Sequence, residues 1–190
     1  MGELKSINRR TFVKRSAFGA LSIPLISTNP LLAFPTKSIK LTILHTNDMH
    51  SHIDPFSAND SKYPGMGGMR KMASIVEKIR KKEDHVLLLD AGDIFQGTPY
   101  FNKYKGEVEL KIMSEMGYAA STMGNHDFDN GINGFNDVLP YANFPFLCSN
   151  YDFSNTILNG KTKKFITKTI GELKVGLFGM PTLNHNIETV

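Results

Sequence analysis

Among its 190 residues the chain has a single cysteine, Cys148. No intrachain disulfide is therefore possible, and no thiolate cluster is available for a structural zinc. Cys148 ends an apolar run, Phe144-Pro-Phe-Leu-Cys148, and reads as a small buried hydrophobe rather than a nucleophile or ligand. No cysteine follows the N-terminal segment in a lipidation context, which argues against a lipid anchor. Internal repeats and low-complexity tracts are lacking too. So is an excess of one charge in the body of the chain. The formal net charge of +4 comes from Lys5, Arg9, Arg10, Lys14 and Arg15, opposed there only by Glu3. The remainder is neutral, which excludes a nucleic-acid footprint. With 41% hydrophobic and 21% charged residues, the chain suits one globular domain with a real core.

The basic N-terminus has its own explanation. Asn8-Arg-Arg-Thr-Phe-Val-Lys14 resembles a twin-arginine export signal. A mildly apolar run follows, Ser16 to Ile26, broken by Gly19, Ser22 and Pro24 and well short of the ~20 residues that span a bilayer. Leu31-Leu-Ala33 offers a small-residue cleavage site. Residues 1–33 are thus expected to be a signal segment and 34–190 the domain. The expected partner is the twin-arginine export machinery and the expected location extracytoplasmic, in the periplasm. That route carries folded proteins, which suits a domain that loads metal before export. A frayed amphipathic helix and an uncleaved anchor are the alternatives, the latter disfavoured by the short apolar run.

Hydrophobic periodicity lays out alternating strands and helices. Ile39 to His45 alternates as a first strand, and a polar loop runs to about Pro64. Gly65-Met-Gly-Gly68 opens a helix whose apolar face holds Met69, Met72, Ala73, Ile75, Val76 and Ile79. His85 to Asp90 is a second strand, apolar enough for burial on both faces. Gln96 to Pro99 reads as loop, Gly106 to Met116 as helix and Ala119 to Met123 as a short strand. Ile132 to Tyr141 reads as helix and Phe144 to Ser149 as strand. Thr162 to Ile170 and Leu173 to Met180 read as a hairpin around Gly171-Glu172. This order predicts an α/β fold with a largely parallel sheet, whose chemistry gathers in loops at the carboxyl ends of strands.

Three such loops carry chemistry: Asp48-Met-His50, Asp93 after Asp90-Ala-Gly, and Asn125-His-Asp-Phe-Asp129 after Gly124. Nothing polar in that last tip is expected to serve a core. Mixed O/N donors without thiolate suit Zn, Mn, Fe or a similar divalent metal. Asp48 and His50 can reach one ion together. The two oxygens of Asp93 can bridge two ions ~3.5–4 Å apart, an arrangement that clamps a phosphoryl group and generates hydroxide near neutral pH. His126 can assist at the phosphoryl group, oriented by Asp129. Of the other histidines, His45 reads as buried and hydrogen-bonded, His52 as facing solvent, His85 as a surface strand start and His185 as a loop residue. Arg70 can meet a phosphate or make a surface contact.

Asp48-Met-His50, Gly92-Asp93 and Gly124-Asn-His126 resemble successive signatures of the calcineurin-like metallophosphoesterases. Leu44-His-Thr-Asn-Asp48, Gly67-Gly-Met-Arg70, Asp90-Ala-Gly-Asp-Ile-Phe-Gln-Gly-Thr-Pro99 and Gly124-Asn-His-Asp-Phe-Asp129 are similar to its exported bacterial 5′-nucleotidase branch. The resemblance implies a two-sheet sandwich flanked by helices. It implies a hydrolase that releases phosphate from nucleotides by a two-metal hydroxide mechanism. Asp48 and His50 would bind one ion, Asp93 would bridge both, and Asn125 would bind the second and touch the phosphate. His126 and Asp129 would act at the phosphoryl group. A 2′,3′-cyclic nucleotide or a sulfur ester is the alternative substrate class. The family completes its site with further histidines, including a Gly-His-x-His-type motif, which the residues up to Val190 do not contain. The chain is therefore expected to be the first part of such a domain. A catalytically incompetent fragment, a truncated product and one piece of a split protein, with a separate C-terminal chain as partner, are the open alternatives.

Overall fold

The parallel sheet forms where the sequence is most apolar. The computed structural model describes residues 38–182. In it β1 (Thr42–Thr46), β2 (Val86–Asp90) and β3 (Ala120–Ser121) lie in the order β1-β2-β3. Both pairings are parallel, with Thr46 opposite Asp90 and Asp90 opposite Ser121. Parallel neighbours need crossovers, and here these are helical. Helix α1 (Met69–Arg80) joins β1 to β2, and α2 (Pro99–Tyr104) with α3 (Glu107–Glu115) joins β2 to β3. Helix α4 (Gly131–Val138) follows, and β4 (Phe165–Ile170) pairs antiparallel with β5 (Leu173–Phe178). Gly171, at φ +58°, makes that tight turn, and a Cβ there would stand 2.5 Å from the His85 ring. Two sheets with flanking helices are the α/β architecture expected. The twin-arginine segment and His185 lie outside the described residues. No helix among the described residues is long and apolar enough to cross a membrane.

Successive residues Leu87 and Leu88 on central β2 are both buried, so both faces of that strand are covered, as its apolar run predicts. One cluster joins Met69 and Val76 of α1, Leu110 and Met113 of α3, and Phe135 of α4. Phe146 meets the Phe135 ring edge-on at 5.0 Å between centroids. Cys148 is buried within this cluster, and burial pushes its thiol up.

Several local expectations are corrected. The loop expected over Gln96 to Pro99 ends one residue early, because Pro99 already opens α2. The Thr98 side chain accepts from the Tyr100 N–H, and Pro99 fills the first helical position, where its missing N–H is harmless. The Ala119–Met123 strand shortens to β3. Phe144–Ser149 makes only isolated parallel bridges, Ser121 to Phe146 and Leu147 to Lys163, because Pro145 has no N–H to give a ladder. The expected helix to Tyr141 is α4 plus a separate 3-10 turn, Leu139–Tyr141, containing Pro140. Ile75 sits off the buried stripe of α1 and is 58% exposed. His45 is exposed rather than buried, because it shares the outward face of β1 with Ile43. His52 is half-buried rather than solvated. It packs on Phe56 at 4.8 Å between rings, with Nδ1 3.1 Å from the His50 carbonyl. His85 is likewise partly covered, under the Gly171 turn. Arg70 is exposed on α1.

Candidate metal centre

Parallel register sets the site. Thr46, Asp90 and Ser121 stand side by side across the sheet, so the loops that follow leave it along one edge. The first two loops stay paired beyond the strands. The N–H groups of Asp48, His50 and Ser51 donate to the carbonyls of Gly92, Asp93 and Ile94 at 2.9, 3.0 and 2.8 Å. That pairing forces unusual backbone. Asp48, His50, Ser51 and Asp93 have φ of 52°, 46°, 55° and 54°, the left-handed region that costs a non-glycine residue about 1 kcal/mol or more. Such conformations persist only where the surroundings over-determine them, and here they turn the side chains together.

Asp48, His50 and Asp93 each offer a ligand atom, and these atoms all lie within 4.8 Å of one another. His50 Nε2 is 3.8 Å from Asp48 Oδ1. Donors on one tetrahedral ion, with bonds of ~2.0–2.2 Å, stand about 3.3–3.6 Å apart, so this set has to draw in by up to about 1.5 Å to seat a divalent cation. Two carboxylates and an imidazole also match the hard-to-borderline donor set of Zn, Mn or Fe. Asn125 lines the same 220 Å³ cavity as Asp48 and Asp93. Met180, Pro181 and Thr182, beyond β5, form another part of its wall, a contribution no motif announced.

His126 begins a 3-10 turn (His126–Phe128) and stands edge-on to His50, with ring centroids 5.0 Å apart. Its N–H donates to Asp93 Oδ1 at 2.9 Å. Its Nδ1 lies 2.8 Å from Asp129 Oδ2, the pairing expected from the sequence. That hydrogen bond leads the effects that hold the imidazole pKa above its ordinary value.

Two carboxylates at the site escaped the sequence reading. Asp127, 1% exposed, corrects the expectation that nothing in the Asn125–Asp129 tip serves the interior. It accepts from the N–H groups of Gly124, Ile94, Asp93 and Phe95 at 2.8, 2.9, 3.0 and 3.2 Å. Burial pushes its carboxyl pKa up, against the downward pull of the Gly124, Phe95 and Ile94 amides, and the four N–H donors fit the ionised form. Spacing alone does not separate Asp127 from Asp129 two residues on. Asp90, also buried, accepts from Thr46 Oγ1 at 2.6 Å, Ser121 Oγ at 2.8 Å and the Gly92 N–H at 2.9 Å. Burial is the first cause of its raised pKa. The Asp-x-Gly spacing, a side chain bonding backbone two residues on, was the available signal.

The glycines of the two later motifs are steric necessities. A Cβ on Gly124 would lie 2.1 Å from Asp93 Oδ1, and one on Gly92, at φ +95°, would lie 2.4 Å from the Gly124 nitrogen.

The model of the calcineurin-like phosphoesterase family matches residues 41–186. The chain belongs to this family. Among curated relatives, the snake venom 5′-nucleotidase of Crotalus adamanteus is 40% identical over 80% of this chain and 27% of its own length. Among solved structures, the 5′-nucleotidase precursor of Thermus thermophilus superimposes with a TM-score of 0.69 at 34% identity, over 75% of this chain and 28% of its own. The NAD nucleotidase of Haemophilus influenzae gives a TM-score of 0.69 at 31% identity, over 77% of this chain and 27% of its own. This calcineurin-like phosphoesterase chain thus spans less than a third of the length of these relatives.

Proposed function

We propose that the chain supplies the ligand-bearing N-terminal part of an exported, metal-dependent hydrolase that releases phosphate from nucleoside 5′-phosphates. The carrying observation is the convergence of Asp48, His50 and Asp93 within 4.8 Å, at the strand ends that also bring Asn125 and His126. Asp48, His50 and Asp93 would hold divalent metal, and Asn125 would add a further ligand and meet the phosphate. When bound, such ions offset phosphate charge and make a nucleophile available near neutral pH. The protein's own part is proton handling and orientation. Asp129, on Nδ1, leaves His126 Nε2 to meet the phosphoryl group or its leaving oxygen. The relatives described as 5′-nucleotidases support the nucleotide substrate.

The test is phosphate release from 5′-AMP by the full chain with added Mn(II) or Zn(II), together with its metal content. Asp93→Asn and His126→Ala are each expected to lower turnover by about 10²–10⁴-fold. Unchanged turnover in either refutes the role given to that residue.

A second reading is that the centre is complete only with a further polypeptide, which adds ligands to the ones here. It is favoured by the free side of β1, which pairs with β2 alone among the described residues. It is favoured also by an apolar 710 Å³ groove between β1 and α1, bordered by Ile43, Met66 and Ile75, each more than half exposed. One bound ion or none, without hydrolysis, supports this reading; two ions with turnover oppose it.

For residues 1–33 the same proposal holds that the twin-arginine segment directs export. A relative from venom and another described as a precursor are in keeping with that. Arg9/Arg10→Lys is expected to hold the protein in the cytoplasm, and normal export of that variant refutes the assignment.

A further inference from the structure

The 3-10 turn after β3 sends its side chains in two directions. His126 faces His50, while Asp127 points inward and is almost wholly buried. Left-handed backbone at Asp93 turns successive N–H groups, those of Asp93, Ile94 and Phe95, towards one point. Such a concave row of amides ordinarily binds an anion. Here the anion is the carboxylate of Asp127, whose Oδ2 takes the Asp93 and Gly124 amides and whose Oδ1 takes those of Ile94 and Phe95. Asp93 returns the contact, because its Oδ1 accepts the His126 N–H at 2.9 Å. The two ligand loops are therefore cross-bound reciprocally, carboxylate to amide in both directions.

We propose that Asp127 is a positioning residue for the metal centre. Its carboxylate clamps the Asp93 loop to the Asn125–His126 turn and so fixes the separation of ligands that come from β2 and β3. This rests on the reading of Asp48, His50 and Asp93 as metal ligands. Asparagine cannot substitute: whichever way its amide is turned, two backbone N–H groups face an NH₂ instead of an oxygen. Glutamate keeps the charge, but its extra methylene moves the acceptor by about 1.5 Å, beyond the tolerance of four convergent hydrogen bonds.

The experiment titrates the full chain with Co(II), following the visible absorption bands, for wild type, Asp127→Asn, Asp127→Glu and a core control, Val138→Ala in α4. Both Asp127 variants are expected to lose roughly 10–100-fold in Co(II) affinity, as for groups that orient metal ligands, with altered band intensities. Val138→Ala is expected to melt earlier with its Co(II) affinity and spectrum unchanged. Folded Asp127 variants with wild-type affinity and spectrum overturn the proposal, as does an equal affinity loss in Val138→Ala. A wild type that binds no Co(II) instead removes the metal-site reading itself. Should neither Asp127 variant fold, amide exchange in the wild type decides. The Asp93, Ile94, Phe95 and Gly124 amides are expected to exchange together and only with global unfolding, and fast, independent exchange overturns the clamp.

Discussion

Replacing Gly124 by alanine perturbs the geometry of the centre without removing a polar group. The new Cβ would lie 2.1 Å from Asp93 Oδ1 and 2.6 Å from both Asp93 Cγ and the Asp93 backbone nitrogen. Ordinary contact begins near 3.4 Å, so the carboxylate has to retreat by about 1.3 Å. The backbone nitrogen beside it gives no easy alternative path. That retreat breaks the bond from the His126 N–H, a hydrogen bond to a charged group of about 1.5–3 kcal/mol, and adds overpacking of about 1–3 kcal/mol. Because Asp93 is only half-buried, we take the lower part of the combined range, about 3 kcal/mol. In a domain of this size that lowers Tm by about 6–12 °C. A ligand displaced by ~1 Å is expected to weaken Co(II) binding by about 10–100-fold, a difference of ~1.4–2.8 kcal/mol. Thermal denaturation with and without chelator, and Co(II) titration, measure the two effects separately. Gly176→Ala is the control, since a Cβ there meets nothing within 4 Å. A Gly124→Ala protein that melts within about 1 °C of wild type and binds Co(II) equally well would refute the steric reasoning.

Gly97→Ala should act in the same way on the first ligand loop. Its Cβ would approach the His50 carbonyl to 2.9 Å at φ +109°, so Co(II) affinity falls by about tenfold or more, read by titration. Ser121→Ala removes one of three donors from buried Asp90 and should cost about 1–3 kcal/mol by urea denaturation at neutral pH. Burial already raises the folded pKa of Asp90 above its unfolded value, so the folded state holds the proton longer and stability declines as pH rises through that interval. Losing a donor raises the folded pKa further. The deficit of Ser121→Ala should therefore be small at about pH 2–3, below the ordinary carboxylate range, where both states hold the proton, and grow towards neutrality; a pH-independent deficit contradicts the assignment. In metal-free protein, Asp129→Asn should bring the raised His126 pKa back down towards its ordinary value, followed by NMR of the imidazole protons, and an unmoved titration contradicts the pair.

The spacing of apolar residues by itself determined much of the architecture. The continuous run Val86–Leu89 could only be a strand buried on both faces, and the stripe Met69, Met72, Val76 only a helix packed on it. Asp48, His50, Asp93, Asn125 and His126 were legible because each follows a strand, and parallel strands release their loops at one edge. The His126–Asp129 pair was legible because three residues of tight turn bring such side chains together. Local rules also contained more than was read from them, since Thr98-Pro99 announces α2. Only the tertiary structure decided the rest. Asp127 and Asp129 are the same residue type two positions apart, yet one is sealed under four amides from two loops while the other faces solvent. Those amides come together through the pairing of β2 with β3, across about thirty residues of chain, and no local pattern encodes that. The same holds for the left-handed backbone at Asp48, His50 and Asp93. Their own propensities disfavour it, and the neighbouring loop imposes it through backbone hydrogen bonds that exist only once β1 and β2 are side by side.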